Sequence, residues 1–154
     1  IRERPAGTFK PSDLRRMLEQ YQAKGITFDL VVIDYLDIMR PDRVTDNIQE
    51  NSKSVFVDCR GLAQEYNFAL LSATQTNREG IKAATARMEH VAEDMNKIRI
   101  CDIAISINRN DEEKANNKAR LYFAASRNSK DGFTLFVKND LDKANAVVAV
   151  ESME

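Results

Sequence analysis

Four stretches of this chain carry residues suited to chemistry. In Phe28 to Met39, FDLVVIDYLDIM, the aliphatic run Leu30-Val31-Val32-Ile33 stops abruptly at the carboxylate of Asp34. Phe68-Ala69-Leu70-Leu71-Ser72-Ala73 ends on the polar Thr74-Gln75-Thr76-Asn77-Arg78. Arg109 follows the apolar run Cys101 to Ile107, and Arg127 opens a polar turn that reaches Gly132. A carboxylate where a buried strand ends suits a magnesium ion on nucleotide phosphates, because Mg²⁺ takes hard oxygen ligands and keeps several waters. A plainer alternative stands beside each residue. Asp34 caps a turn, Gln75 pairs with backbone, and Arg78, Arg109 and Arg127 are solvated surface charges. The order and spacing of the set favour the chemical reading.

The elements that must position these residues alternate between strand and helix. An unbroken apolar run flanked by helical patterns predicts a strand buried on both faces of a parallel sheet, with ligands at its carboxyl end. Before it, Ser12 is the expected N-cap of a helix bearing Leu14, Met17, Leu18 and Tyr21 on one face and ending at Gly25. After it, a polar loop runs from Arg40 to about Ser52. A second helix is expected over Lys53 to Tyr66, with Val55, Cys59, Leu62 and Tyr66 inward. The second strand spans Phe68 to Ala73, which places Gln75 on the same side of the sheet as Asp34. Glu79 to Met95 is ambiguous between a loop and a helix. Cys101 to Ile107 reads as a third strand and Asn110 to Lys118 as a charged connection. Arg120 to Ser126 and Phe133 to Lys138 form a hairpin turning at Gly132, and Ala146 to Val150 is an edge strand. This alternation is an α/β pattern with right-handed crossovers.

Composition excludes several classes. The 154 residues suffice for one domain with a real core, and 31% charged with 43% hydrophobic residues is an ordinary globular balance. A net charge of −1 excludes a globally basic nucleic-acid coat but leaves room for a local basic loop. Cys59 and Cys101 are far apart with no CxxC pairing, which predicts two free thiols in a reducing cytosol. His90 is the only histidine, and neither a Ser-His-Asp set nor a metal cluster can be assembled. No apolar run approaches the roughly 18 residues of a membrane span. Because Ile1-Arg2-Glu3 lacks an initiator Met, we expect a piece of a longer chain.

These residues resemble a known family. Val31 to Met39, VVIDYLDIM, is similar to the Walker B strand of DnaB-type replicative helicases, VIDYLQLM. Thr74 to Arg78 is similar to that family's SQLNR, and Ala125-Ser126-Arg127-Asn128 with Gly132 to its KQRNG…G hairpin. The resemblance runs in order from Ile1 to about Val137. It implies a RecA-like α/β core, with a mostly parallel sheet flanked by helices and ending in an antiparallel hairpin. It also implies a partial motor domain over residues 1–154, from Walker B to the arginine-finger hairpin.

By the same resemblance, Asp34 holds the Mg²⁺ of ATP with Tyr35 beside it, and Gln75 senses the γ-phosphate. Arg127 is the arginine finger reaching the ATP of a neighbouring subunit, with Arg78 and Arg109 supporting the nucleotide loops. Lys82, Arg87 and Lys97 are the cations available to single-stranded DNA, in a segment without aromatic residues for stacking. The implied partners are a homo-hexamer, single-stranded DNA, and a primase or helicase loader. The implied place is the cytoplasm of a bacterium or of a phage-infected host.

Two departures stand out. No GxxxxGK[ST] phosphate loop occurs, and Ala125 replaces the family lysine two residues before the finger. The loop and the water-activating glutamate are expected upstream, together with the strand and helix that carry the loop. This stretch alone is therefore expected to bind ATP poorly, not to hydrolyse it, and to self-associate through exposed strand edges and faces. Two other classes share parts of the pattern: a recombinase or clock-type RecA-like ATPase, and a non-catalytic RecA-like assembly module.

Overall fold

The computed structural model describes residues 1–75 and 95–154, which fall into two compact units, Ile1–Gln75 and Thr76–Glu154. The first unit contains α1 (Pro11–Gln22), β1 (Leu30–Ile33), α2 (Ile48–Glu65) and β2 (Ala69–Ser72). The second contains α3 (Met95–Ile100), β3 (Ile103–Asn108), α4 (Asp111–Ala115), β4 (Lys118–Ser126), β5 (Thr134–Asp140) and β6 (Asn145–Met153).

In the first unit, β1 and β2 pair in parallel, Leu30 with Ala69 through Ile33 with Ser72. Both chains therefore leave the sheet at the same end, as the sequence predicts for Asp34 and Gln75. Helix α1 begins with Pro11, whose missing N–H costs nothing in a first turn. Its N-cap is Lys10 rather than Ser12. Ser12 lies inside the helix and donates both its N–H (3.0 Å) and its hydroxyl to the Asp42 carboxylate. Gly25 (φ +74°) supplies the left-handed turn that ends the helix, where Ile26 N–H donates to Tyr21 O at 3.0 Å. Helix α2 starts at Ile48, five residues before the expected Lys53. The Asn47 side chain caps it by accepting from Gln49 N–H (3.0 Å) and Glu50 N–H (3.2 Å).

Leu14 and Leu18 of α1, Leu36 and Met39, Val55, Phe56, Cys59 and Leu62 of α2, and Phe68 form the buried core of this unit. Only one face of β1 and β2 contributes to it. Leu30, Val32 and Leu71 are 51%, 60% and 56% exposed, so the expectation of a strand covered on both faces fails within these residues. Nothing in the unit packs on that side of its two strands.

The second unit is a four-stranded antiparallel sheet in the order β3-β4-β5-β6. The β4–β5 hairpin turns through Gly132 (φ +79°), whose N–H donates to Phe123 O at 2.8 Å, and Phe123 stacks on Phe133 with centroids 4.4 Å apart. The predicted hairpin and edge strand are present, with β6 nine residues long. The charged connection after β3 contains a helix, α4. Asn110 accepts from Glu113 N–H, and Glu113 accepts from Asn110 N–H, both at 2.7 Å. Ala119 and Val137 are the buried apolar residues of this sheet, beside the buried amides of Asn108 and Asn139.

Candidate nucleotide and magnesium site

Asp34 is the first residue beyond β1. Its side chain is exposed and makes no hydrogen bond or ion pair among the described residues. The peptide bond between Asp34 and Tyr35 is cis. Its two flanking residues are both tied to β2. Ile33 O accepts from the Ser72 hydroxyl at 2.8 Å, and Leu36 N–H donates to the same Ser72 Oγ at 3.1 Å. A third link comes from Gln75, whose Nε2 donates to the Tyr35 hydroxyl at 3.4 Å. Asp34, Tyr35 and Gln75 thus meet at the carboxyl end of a parallel strand pair, the position at which open α/β sheets bind ligands.

The donor set fits a magnesium ion that arrives with phosphates rather than one held by protein alone. Asp34 offers one unencumbered carboxylate, and among the described residues no group of three or more His, Cys, Asp or Glu side chains could hold a metal. Magnesium is commonly bound by one or two carboxylates, with phosphate oxygens and water completing its shell.

The other candidates lie in the second unit or outside the described residues. Arg127 begins the β4–β5 connection. Its Nε lies 3.1 Å from Asp102 Oδ1, and Nη2 donates to Arg99 O at 3.2 Å. Arg109 donates from Nε to Lys118 O at 3.2 Å. Lys97 sits on α3, where its carbonyl accepts from Cys101 N–H at 3.3 Å. Arg78, Lys82, Arg87 and His90 fall within residues 76–94, outside the described residues.

No family model matches the sequence, and no curated protein matches it. Solved structures do match. A DnaB-like replicative helicase, described with its interactions with primase, superposes with a TM-score of 0.73 at 18% identity, over 86% of this chain and 34% of that one. A second solved structure, an isolated ATPase domain, superposes with a TM-score of 0.76 at 19% identity, over 89% of this chain and 50% of that one. The fold is that of a DnaB-type helicase ATPase domain. This chain spans about a third and a half of the lengths of these two solved chains.

Within this DnaB-type fold the sequence reading missed Ser72 and Asp102. Ser72 is the last residue of an otherwise apolar strand, and a lone hydroxyl at a strand's end was the available signal. Asp102 precedes β3 and offered none, because its link to Arg127 spans 25 residues.

Proposed function

We propose that this chain is part of the motor of an ATP-driven replicative DNA helicase, one that translocates on single-stranded DNA and separates the duplex. The observation that carries the reading is the free Asp34 carboxylate beside Gln75, at the carboxyl end of paired parallel strands in a DnaB-type fold. In this reading Asp34 holds Mg²⁺ bound to ATP, and the ion supplies charge neutralisation at the phosphates. Gln75 offers its amide N–H to the terminal phosphate and carries the change to the segment that follows it. That segment, with Lys82, Arg87 and Lys97, contacts the DNA backbone.

Arg127 acts in trans, placing its charged fork on the phosphoryl group bound by a neighbouring subunit. The working assembly is a ring of identical subunits, with a primase or loader as further partner, in the cytoplasm of a bacterium or phage-infected host. Among the described residues no helix is long and apolar enough to cross a membrane.

Calorimetry with Mg²⁺ and a non-hydrolysable ATP analogue tests the reading on the intact protein that carries this chain. We expect Mg²⁺-dependent binding that Asp34→Asn weakens by about tenfold or more, because a charged metal ligand is lost. Intact protein that binds no nucleotide would move the reading to a non-catalytic assembly module.

A further inference from the structure

We propose that Ser72 is a positioning residue for the Asp34 carboxylate. The inference rests on the nucleotide reading above and concerns how the carboxylate is held. Asp34 lies past the end of β1 and has no side-chain partner of its own among the described residues, so only its backbone can fix its direction. The two backbone groups that bracket the Asp34–Tyr35 pair both end on one atom, Ser72 Oγ. The hydroxyl donates to Ile33 O at 2.8 Å on one side and accepts from Leu36 N–H at 3.1 Å on the other.

A hydroxyl has one proton and two lone pairs, so one serine satisfies an acceptor and a donor at once. Ala73 O also lies within reach at 3.3 Å, but the single proton favours the shorter contact to Ile33 O. Ile33 and Ser72 are register partners across the parallel pair, so the clamp reaches directly from the end of one strand to the other. The Tyr35 hydroxyl then meets Gln75 Nε2, three residues beyond Ser72, which ties the carboxylate turn to the amide at a second point.

A site ligand must be held to within about half an ångström to be productive, and supporting groups that fix ligands are worth roughly 10–100-fold in metal affinity. Ser72 is placed to do this without touching the ion. Alanine at this position removes both hydrogen bonds and leaves Leu36 N–H and Ile33 O without their partner. Threonine keeps the hydroxyl and suits a strand.

The test compares the intact protein with its Ser72→Ala and Ser72→Thr variants by two readouts besides activity. Amide hydrogen exchange at Leu36 should accelerate about tenfold in Ser72→Ala, with the amides of α1 and α2 unchanged, and should return toward the parent in Ser72→Thr. The Mg²⁺ concentration for half-maximal binding of a fluorescent non-hydrolysable ATP analogue should rise about fivefold in Ser72→Ala, the effect of one hydrogen bond, and recover in Ser72→Thr.

Unchanged exchange at Leu36 overturns the clamp. Faster exchange with an unshifted Mg²⁺ midpoint overturns the positioning role and leaves Ser72 a structural residue. An intact parent that shows no Mg²⁺-dependent binding overturns the nucleotide reading itself, and with it any role of Ser72 toward the ion.

Discussion

Arg127 is held to Asp102 twice, by its backbone N–H donating to Asp102 O at 2.8 Å and by its side-chain Nε 3.1 Å from Asp102 Oδ1. The first link anchors the start of the hairpin connection to the entry of β3. The second holds the guanidinium at the surface, where the two side chains are 54% and 57% exposed. Exposed pairs of this kind contribute at most about 1 kcal/mol, so the guanidinium can leave Asp102 for a phosphate at little cost while the backbone link keeps its position.

This gives the first prediction. Arg127→Ala in the intact protein lowers ATP hydrolysis by about a thousandfold while nucleotide binding changes little, because a trans arginine acts on the transition state. Mixing increasing amounts of Arg127→Ala with parent protein should lower activity more steeply than in proportion to the variant. A strictly proportional decline would show that Arg127 does not serve a neighbour.

The second prediction concerns pH. Arg120 and Glu113 form a two-point pair, Nε to Oε1 at 2.6 Å and Nη2 to Oε2 at 3.1 Å, with side chains only 14% and 17% exposed. Burial alone pushes the Glu113 carboxyl up. The Asn110 N–H and the Arg120 guanidinium outweigh it and hold the group below its ordinary value of 4.5. A carboxyl with a lowered folded pKa binds fewer protons than in the unfolded chain. Its stabilisation is therefore fully present above 4.5 and is lost as pH falls through the lowered folded value.

Glu113→Gln should accordingly be less stable than the parent at pH 7, with the gap narrowing on acidification below the ordinary carboxylate range. Arg120→Ala leaves the carboxylate uncompensated and should cost about 3 kcal/mol. Denaturant unfolding followed from pH 3 to pH 7 checks both, and a gap independent of pH would remove Glu113 from the acid limb.

The sequence placed Asp34 and Gln75 correctly because a strand's end is legible: an aliphatic run stops at a polar residue, and parallel neighbours stop at the same end. Other features were illegible for local reasons. Helix α4 is the charged stretch Asp111 to Ala115, which has no apolar stripe for periodicity to detect. It forms because Asn110 and Glu113 satisfy each other's backbone N–H groups. The start of α2 was within reach, since Asn47 followed by Glu50 is an N-cap pattern, but Asn51 and Ser52 read as loop. Ser12 looked like a cap until Asp42, thirty residues away, accepted both its N–H and its hydroxyl. Ser72 had the same character: its partners lie at Ile33 and Leu36, which only the strand pairing brings near.

The two cysteines provide the last prediction, because their surroundings differ more than their types suggest. Cys59 lies on the inward face of α2 with no exposed surface, and burial first, then the nearby Asp58 carboxylate, pushes its thiol up to about 12. Alkylation needs the thiolate and access to it, and Cys59 has neither. Cys101 is half-buried at the end of α3, with its sulfur 3.3 Å from Lys97 O. Iodoacetamide at pH 8 should therefore label Cys101 first. Cys59 should react only through opening of the first unit, at a rate that rises with denaturant. Cys59→Ala should keep the fold at a cost of about 1 kcal/mol for the lost sulfur contacts, whereas Cys59→Asp should unfold the unit by burying an unpaired charge. Mass spectrometry of labelled peptides against urea concentration decides the point. Equal labelling of both thiols in native buffer would show that the α2 face is not packed as described.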